Sequence, residues 1–234
     1  MPVRGNRGAD HRRCRLRDHE AAGIPVADAA LRRLPQIGKP VRIVLIGPPG
    51  AGKGTQAVSL AARYGVPHVA SGDILRFAVA WKTDIGLRAK EYMDDGDLVP
   101  DEIVLELLKL RLAQPDAREG FVLDGFPRTL PQAEALDKIL AEIGQRIDVA
   151  VHFDVPDELI VLRLSQRASC PTCGRTYNLL ASPPKSDMTC DRDGSPLFQR
   201  DDDRPEVIAN RLAVFRRQTR PLVQYYDERG MLVT

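Results

Sequence analysis

Aromatic side chains are scarce in this 234-residue chain: one Trp, six Phe and five Tyr make up 5% of it. Cysteine is rarer still, with four residues. No apolar run approaches the roughly 18 residues of a membrane span, and the start lacks the apolar core of about 7 to 15 residues that marks a secretory leader. A helical membrane protein and a disulfide-stapled secreted scaffold are therefore excluded as readings, and a cytoplasmic protein without a membrane partner is expected. A dominant charge is missing too. The 34 basic and 32 acidic residues leave a formal +2, and residues 1–40 hold nine Lys and Arg against four Asp and Glu, so the remainder is net −3. A mildly acidic body argues against a nucleic-acid partner, which asks for a broad basic face.

Residues 1–40 mix Arg, Gly, Asp and His with no sustained period, and we read them as a disordered or loosely docked basic extension. A short helix over Ile24–Leu34 is the one element it suggests. The stretch has no Ser and carries Asp10, Asp18, Glu20 and Asp28, which speaks against a transit peptide. From Val41 onward, short apolar runs alternate with longer helical patterns, the signature of an α/β fold with a parallel sheet and crossover helices. Strands are expected at Arg42–Ile46, Pro67–Ala70, Phe121–Asp124, Val149–Val155 and Met231–Thr234. Helices should start near Lys53, Gly72, Asp101, Pro131, Pro156 and Arg204. The last has a capping-box signal in Asp203 and Glu206, followed by Ile208, Leu212 and Phe215 at helical spacing. Ser169–Gln199, rich in Pro, Ser, Cys, Asp and Gly, breaks the rhythm and reads as an insertion with its own small fold.

The first strand runs into Gly47-Pro48-Pro49-Gly50-Ala51-Gly52-Lys53-Gly54-Thr55 and then a helix. This is the context of a phosphate-binding loop. Its glycines let successive amides face a phosphate, Lys53 adds a mobile positive charge, and the helix N-terminus adds its dipole. Gly54 stands where the general pattern has Ser or Thr, and Thr55 follows it.

Three of the cysteines cluster. Cys170-x2-Cys173, sixteen residues, then Cys190-x2-Asp193 can converge as a tetrahedron of three thiolates and one carboxylate, a donor set suited to Zn²⁺. Four protein ligands leave no open position for catalysis, so the role is structural. An insertion with so few apolar side chains needs such a staple. Asp193 also reads as a turn acid before Gly194, and Cys14, far away, as an unpaired thiol.

Further segments join the loop: Ser71-Gly72-Asp73-Ile74-Leu75-Arg76, Gly96 to Glu102, Asp124-Gly125-Phe126-Pro127-Arg128-Thr129, Arg163 to Arg167, and Gln199 to Arg204. Arginines near the ends of several elements suit a site that holds several phosphates and neutralises a moving one. With these motifs in order, the sequence from about residue 41 to 234 closely resembles bacterial adenylate kinase, in the long form with a zinc-bearing lid. The resemblance implies a P-loop kinase fold with a five-stranded parallel sheet and a core of 41–69, 100–165 and 204–234. It adds an AMP-binding helical segment at 70–99 and a lid at 166–203. It implies phosphoryl transfer from MgATP to AMP giving two ADP, by a monomer with Mg²⁺ and structural Zn²⁺.

Carried over by position, Gly50, Ala51, Gly52, Lys53, Gly54 and Thr55 would cradle ATP, with Arg163, Arg167, Thr176 and Tyr177 reaching it from the lid. Ser71, Arg76, Asp97, Leu98, Val99, Gly125, Phe126, Pro127, Arg128 and Gln132 match AMP-site positions. Arg200 and Arg211 match the pair that grips phosphates, and Asp124 matches the carboxylate that helps hold hydrated Mg²⁺. Lys53, Arg128, Arg167, Arg200, Arg211 and Asp124 are thus the candidate catalytic set, with no general base among them.

Plainer readings stand beside these. Asp73 and Asp124 can also be turn or strand-end acids, Gln132 half of a capping box with Thr129, and Arg211 a solvated arginine packing its stem on the core. Relative to the family, Ala168 and Ser169 interrupt an arginine-rich stretch, the 40-residue extension has no counterpart, and a loop and helix that help close the ATP adenine pocket are expected beyond Thr234. A kinase for another nucleoside monophosphate, an inactive relic and a non-catalytic zinc module remain the rival functions.

Overall fold

The computed structural model describes Pro35 and residues 38–234; the suggested helix at Ile24–Leu34 and Cys14 lie outside the described residues. Five parallel strands form the central sheet: β1 (Val41–Ile46), β2 (His68–Ala70), β3 (Gly120–Asp124), β4 (Val149–His152) and β7 (Leu232–Val233), in the order β2-β3-β1-β4-β7. All six residues of β1 are buried, which explains the apolar run Ile43–Ile46 after Arg42: a strand covered on both faces does not alternate in polarity. Its side chains divide by parity. Val44 and Ile46 join Leu123, Phe126, Leu136, Leu140 and Tyr226 on one face, while Ile43 and Leu45 join Ala57, Leu60, Val122 and Val151 on the other.

The helices are α1 (Lys53–Tyr64), α2 (Ser71–Ala80), α3 (Asp84–Asp95), α4 (Asp101–Leu112), α5 (Leu130–Glu142), α6 (Asp157–Ser165), α7 (Pro205–Val214) and α8 (Pro221–Asp227). Each predicted strand and helix start falls within a few residues of an observed one, with three differences. β4 stops at His152, so the predicted strand to Val155 was too long; the chain leaves the sheet where α6 must begin after Pro156. The helix expected from Arg204 breaks into α7, a wide turn at Phe215–Thr219 and α8. Pro221 explains the break, because it has no N–H and its ring crowds the preceding turn. The capping box on α7 does not form, since Arg204 occupies the cap position without a side-chain cap and Asp203 turns to Arg167 instead.

One helix was not expected. α3 is capped by Thr83, whose Oγ1 accepts from the Gly86 N–H at 3.0 Å. Where α2 and α3 cross, a Cβ on Gly86 would lie 2.0 Å from the Ala78 carbonyl oxygen, so the helices meet backbone to backbone. Between α6 and α7, β5 (Arg167–Ser169) and β6 (Thr176–Asn178) form an antiparallel pair carrying the cysteine segment. No helix among the described residues is long and apolar enough to cross a membrane.

Candidate active site

The loop after β1 holds Gly50 at φ 76° and Gly52 at φ 98°, left-handed backbone that β-carbon-bearing residues avoid. Gly50 also faces Leu164 so closely that a Cβ would sit 2.8 Å from its side chain. Lys53, the first residue of α1, folds back over the loop and donates to the Gly47 and Pro48 carbonyls at 2.8 Å each. Burial pulls its ammonium down to about 8, partly offset by Asp124 and reinforced by Arg128, Arg211 and Arg167.

Asp124 ends β3 on the neighbouring strand. Its Oδ2 is 3.5 Å from His68 Nε2, which has no hydrogen-bond partner of its own. Burial works to raise the Asp124 carboxyl, but His68 and Lys53 outweigh it and hold the group below the ordinary range, hence ionised at neutral pH. A Cβ at position 54 would lie 3.2 Å from Asp124 Oδ2, so glycine there keeps the carboxylate approachable. An ionised carboxylate beside a phosphate loop is a hard-oxygen donor that fits Mg²⁺.

The arginines come from separate elements, and two of the four are already held by acids. Arg167 on β5 makes a bidentate pair with Asp203, at 2.7 and 2.6 Å. Arg211 on α7 reaches Asp202 Oδ2 at 3.0 Å and the Asp202 carbonyl at 2.8 Å. Arg200 donates to Ser169 Oγ at 2.8 Å, and Arg128 to the Gly125 carbonyl at 2.7 Å. Burial and mutual repulsion pull Arg128 and Arg200 down to about 10, which leaves both cationic at neutral pH. Burial raises Asp202, yet Arg211, Arg167 and Arg200 bring it below its usual value. The electrostatic design is a crowd of cations with two acids, Asp202 and Asp203, dividing them.

Opposite the loop, Ser71 Oγ donates to the Gly125 carbonyl at 2.6 Å, joining the start of α2 to the turn after β3. Arg76 pairs with Asp73 at 2.5 Å. Phe126 and Pro127 are core residues, as is Val99. Gln132 on α5 is buried, with Oε1 accepting from the Arg128 N–H and Nε2 donating to Asp101 Oδ1.

The cysteine segment brings its four donors together. Cys173 Sγ and Cys190 Sγ are 3.6 Å apart, Cys170 Sγ is 3.4 Å from Asp193 Oδ2, and all four ligand atoms lie within 4.8 Å of one another. Bonds of about 2.0 to 2.3 Å to a tetrahedral metal imply ligand separations of roughly 3.4 to 3.8 Å, so the donors fit such an ion.

A family model described as adenylate kinase matches residues 45–231. The chain belongs to the adenylate kinase family. It is 52% identical to the adenylate kinase of Caldicellulosiruptor saccharolyticus over 194 residues, covering 83% of this chain and 90% of that protein. It is 52% identical over the same length to that of Methanosarcina mazei, with the same coverage, and 50% identical over 192 residues to that of Archaeoglobus fulgidus, covering 82% and 88%.

Of the residues singled out from the sequence, Ser71, Gly125, Arg128 and Gln132 are linked by hydrogen bonds, and Arg167 and Arg211 share Asp203. Tyr177 and Gln132 depart from the readings given to them. Tyr177 sits in the small lid core, its hydroxyl 3.5 Å from Cys190 Sγ and accepting from the Asp191 N–H at 2.9 Å, so its side chain serves the cysteine cluster. It lies on β6 with the exposed Thr176, so the two form part of a strand pair and not a turn. Arg163 reaches the Ala51 carbonyl at 3.4 Å, beside the loop. The Gln132 capping box is half formed: Thr129 Oγ1 accepts from the Gln132 N–H at 3.2 Å, while the Gln132 side chain goes to Arg128, one residue before the cap. Sequence reasoning missed His68, Asp202 and Asp203 as site residues. The three consecutive acids at 201–203 were the available signal; His68 offered none beyond opening a strand beside Asp124.

Proposed function

We propose that this chain transfers the terminal phosphoryl group of MgATP to AMP, giving two ADP. The observation that carries the reading is a glycine loop bearing Lys53, with Asp124 against Gly54, Arg128 on the neighbouring Gly125 carbonyl, and Arg167 and Arg211 sharing Asp203. No nucleophile belongs to the set, and none is needed. The acceptor is an AMP phosphate oxygen already ionised at neutral pH, so positioning and charge neutralisation do the work.

Backbone amides of Gly50–Thr55 hold the ATP phosphates, and Lys53 exchanges the Gly47 and Pro48 carbonyls for a phosphate oxygen. Arg167, Arg200 and Arg211 leave Asp203, Ser169 and Asp202 to grip the phosphates from the lid side. Arg128 and Arg76 hold the AMP phosphate. Ser71, the backbone of Asp97–Val99, the Gly125–Pro127 turn and Gln132 form the wall around the nucleoside. Mg²⁺, when bound with ATP, spreads the charge of the β- and γ-phosphate oxygens, and Asp124 is the residue that would hold its water shell. Closing residues 166–203 over both substrates keeps water, the competing acceptor, from the transferred group; lid closure in adenylate kinase is a general example of this behaviour. Cys170, Cys173, Cys190 and Asp193 hold structural Zn²⁺ in that lid. Free thiols at these three positions suit a reducing cytoplasm, and the working unit we infer is a monomer.

The deciding experiment measures ADP formation by purified protein with MgATP and AMP, beside UMP, CMP and GMP. Turnover with AMP well above the others is expected. Preference for another acceptor would transfer the proposal to that nucleotide, and no turnover by folded, zinc-loaded protein would refute it.

A further inference from the structure

Gln132 is 2% exposed, and its carboxamide is held at both ends. Oε1 accepts from the Arg128 backbone N–H at 2.7 Å, and Nε2 donates to Asp101 Oδ1 at 2.6 Å. The opposite orientation about the last torsion would set the amide nitrogen against a backbone donor and the amide oxygen against a carboxylate. The two partners therefore admit one orientation only. Asp101 is itself anchored: it is the first residue of α4, and its Oδ2 accepts from Thr129 Oγ1 at 2.9 Å. Each amide atom of Gln132 keeps one further valence, an N–H on one and a lone pair on the other.

Adenine presents an exocyclic amino donor beside a ring-nitrogen acceptor. Hypoxanthine and guanine present a carbonyl acceptor beside a ring N–H donor at the same two positions. A carboxamide free to turn over reads both patterns; one that cannot reads a single pattern. We propose that Asp101 is a positioning residue that sets the discrimination between amino- and oxo-purine monophosphates, by fixing which end of the Gln132 carboxamide donates. The proposal rests on the assignment of Gln132 to the AMP wall.

The test compares kcat/KM for AMP and IMP in wild type, Asp101→Asn and Thr129→Val, with direct binding of both nucleotides by titration calorimetry. Asparagine keeps the shape of Asp101 and either donates or accepts, so the Arg128 N–H is left as the one group that orients the amide. The AMP-to-IMP ratio should fall about tenfold in Asp101→Asn, in turnover and in affinity, the size of one mispaired buried hydrogen bond. Thr129→Val, which leaves the Asp101–Gln132 bond in place, should keep the wild-type ratio. A ratio cancels the fraction of active protein, so a merely structural role of Asp101 would lower both acceptors equally and overturn the proposal. If Asp101→Asn does not accumulate, Asp101→Ser replaces it with the same expectation. Failure of the wild type to phosphorylate AMP would instead refute the functional reading beneath it.

Discussion

The sheet and the cysteine segment reach a folded state by different means. Around β1, residues such as Val44, Leu123, Leu136 and Tyr226 are completely buried, and two apolar layers cover both sheet faces. The cysteine segment has a buried cluster of only Ala168, Cys170, Tyr177, Cys190 and Leu197, two of which are metal-ligand candidates. One region is held by area removed from water, the other by four donors around a point. The comparison teaches that a part of the fold can be organised with little apolar core of its own, so its docking onto the rest need not be apolar. What joins the two is polar: Arg211 of α7 with Asp202 and Asp203, Asn178 with the Arg163 carbonyl, and Gln199 with the Ser165 carbonyl.

The largest expected effect breaks the chemistry and leaves both regions standing. Lys53→Met should lower ADP formation by about a thousandfold or more, as loss of a charge on a transferring phosphoryl group does. The circular dichroism spectrum and zinc content should stay at wild-type levels, and retained activity would remove Lys53 from the site. Next come the two modes of stabilisation. Leu123→Ala should cost about 2 to 5 kcal/mol, read as a lower melting temperature with one zinc per chain retained. Cys173→Ser should do the reverse, releasing zinc and lowering the melting transition by roughly 10 °C. A zinc-free protein of unchanged thermal stability would contradict the structural role of the metal.

A smaller effect follows from Lys53, whose ammonium is held down to about 8. An arriving phosphate restores the charge and raises that value, so nucleotide binding between about pH 8 and 9 should take up a fraction of a proton. Calorimetry in buffers of different ionisation enthalpy reads this, and Lys53→Met should abolish it. The same depression makes buried Lys53 cost stability below about pH 8, a cost that fades as pH rises toward 10.5. The smallest effect is expected from deleting residues 1–34, which keeps Pro35, whose carbonyl accepts from Tyr64 at 2.9 Å. Turnover should stay within about twofold of wild type, and a large loss would make the extension part of the enzyme.

Legibility in the sequence followed the physics of each element. The strands were readable because burial on both faces leaves long apolar runs, and the phosphate loop because its glycines and Lys53 have few other uses. α3 was invisible to periodicity because its buried positions are Gly86 and Ala89, too small to form an apolar stripe; Thr83 and Gly96 at its ends were the signals available. Asp203 looked like a helix cap because spacing cannot tell a local hydrogen bond from an ion pair formed across 36 residues with Arg167. The role of Asp101 was hidden in the same way, since its partner lies 31 residues on.

Gly86 has one more meaning. A methyl group there would have to pass through the Ala78 carbonyl, so alanine, the mildest replacement, is as forbidden as tryptophan. Most positions on this surface tolerate a graded series of side chains, and evolution can drift through them by degrees. Here there is no series and no gradient. Losing this glycine means separating α2 from α3 in one step, which makes the crossing an all-or-none constraint on how the two helices pack.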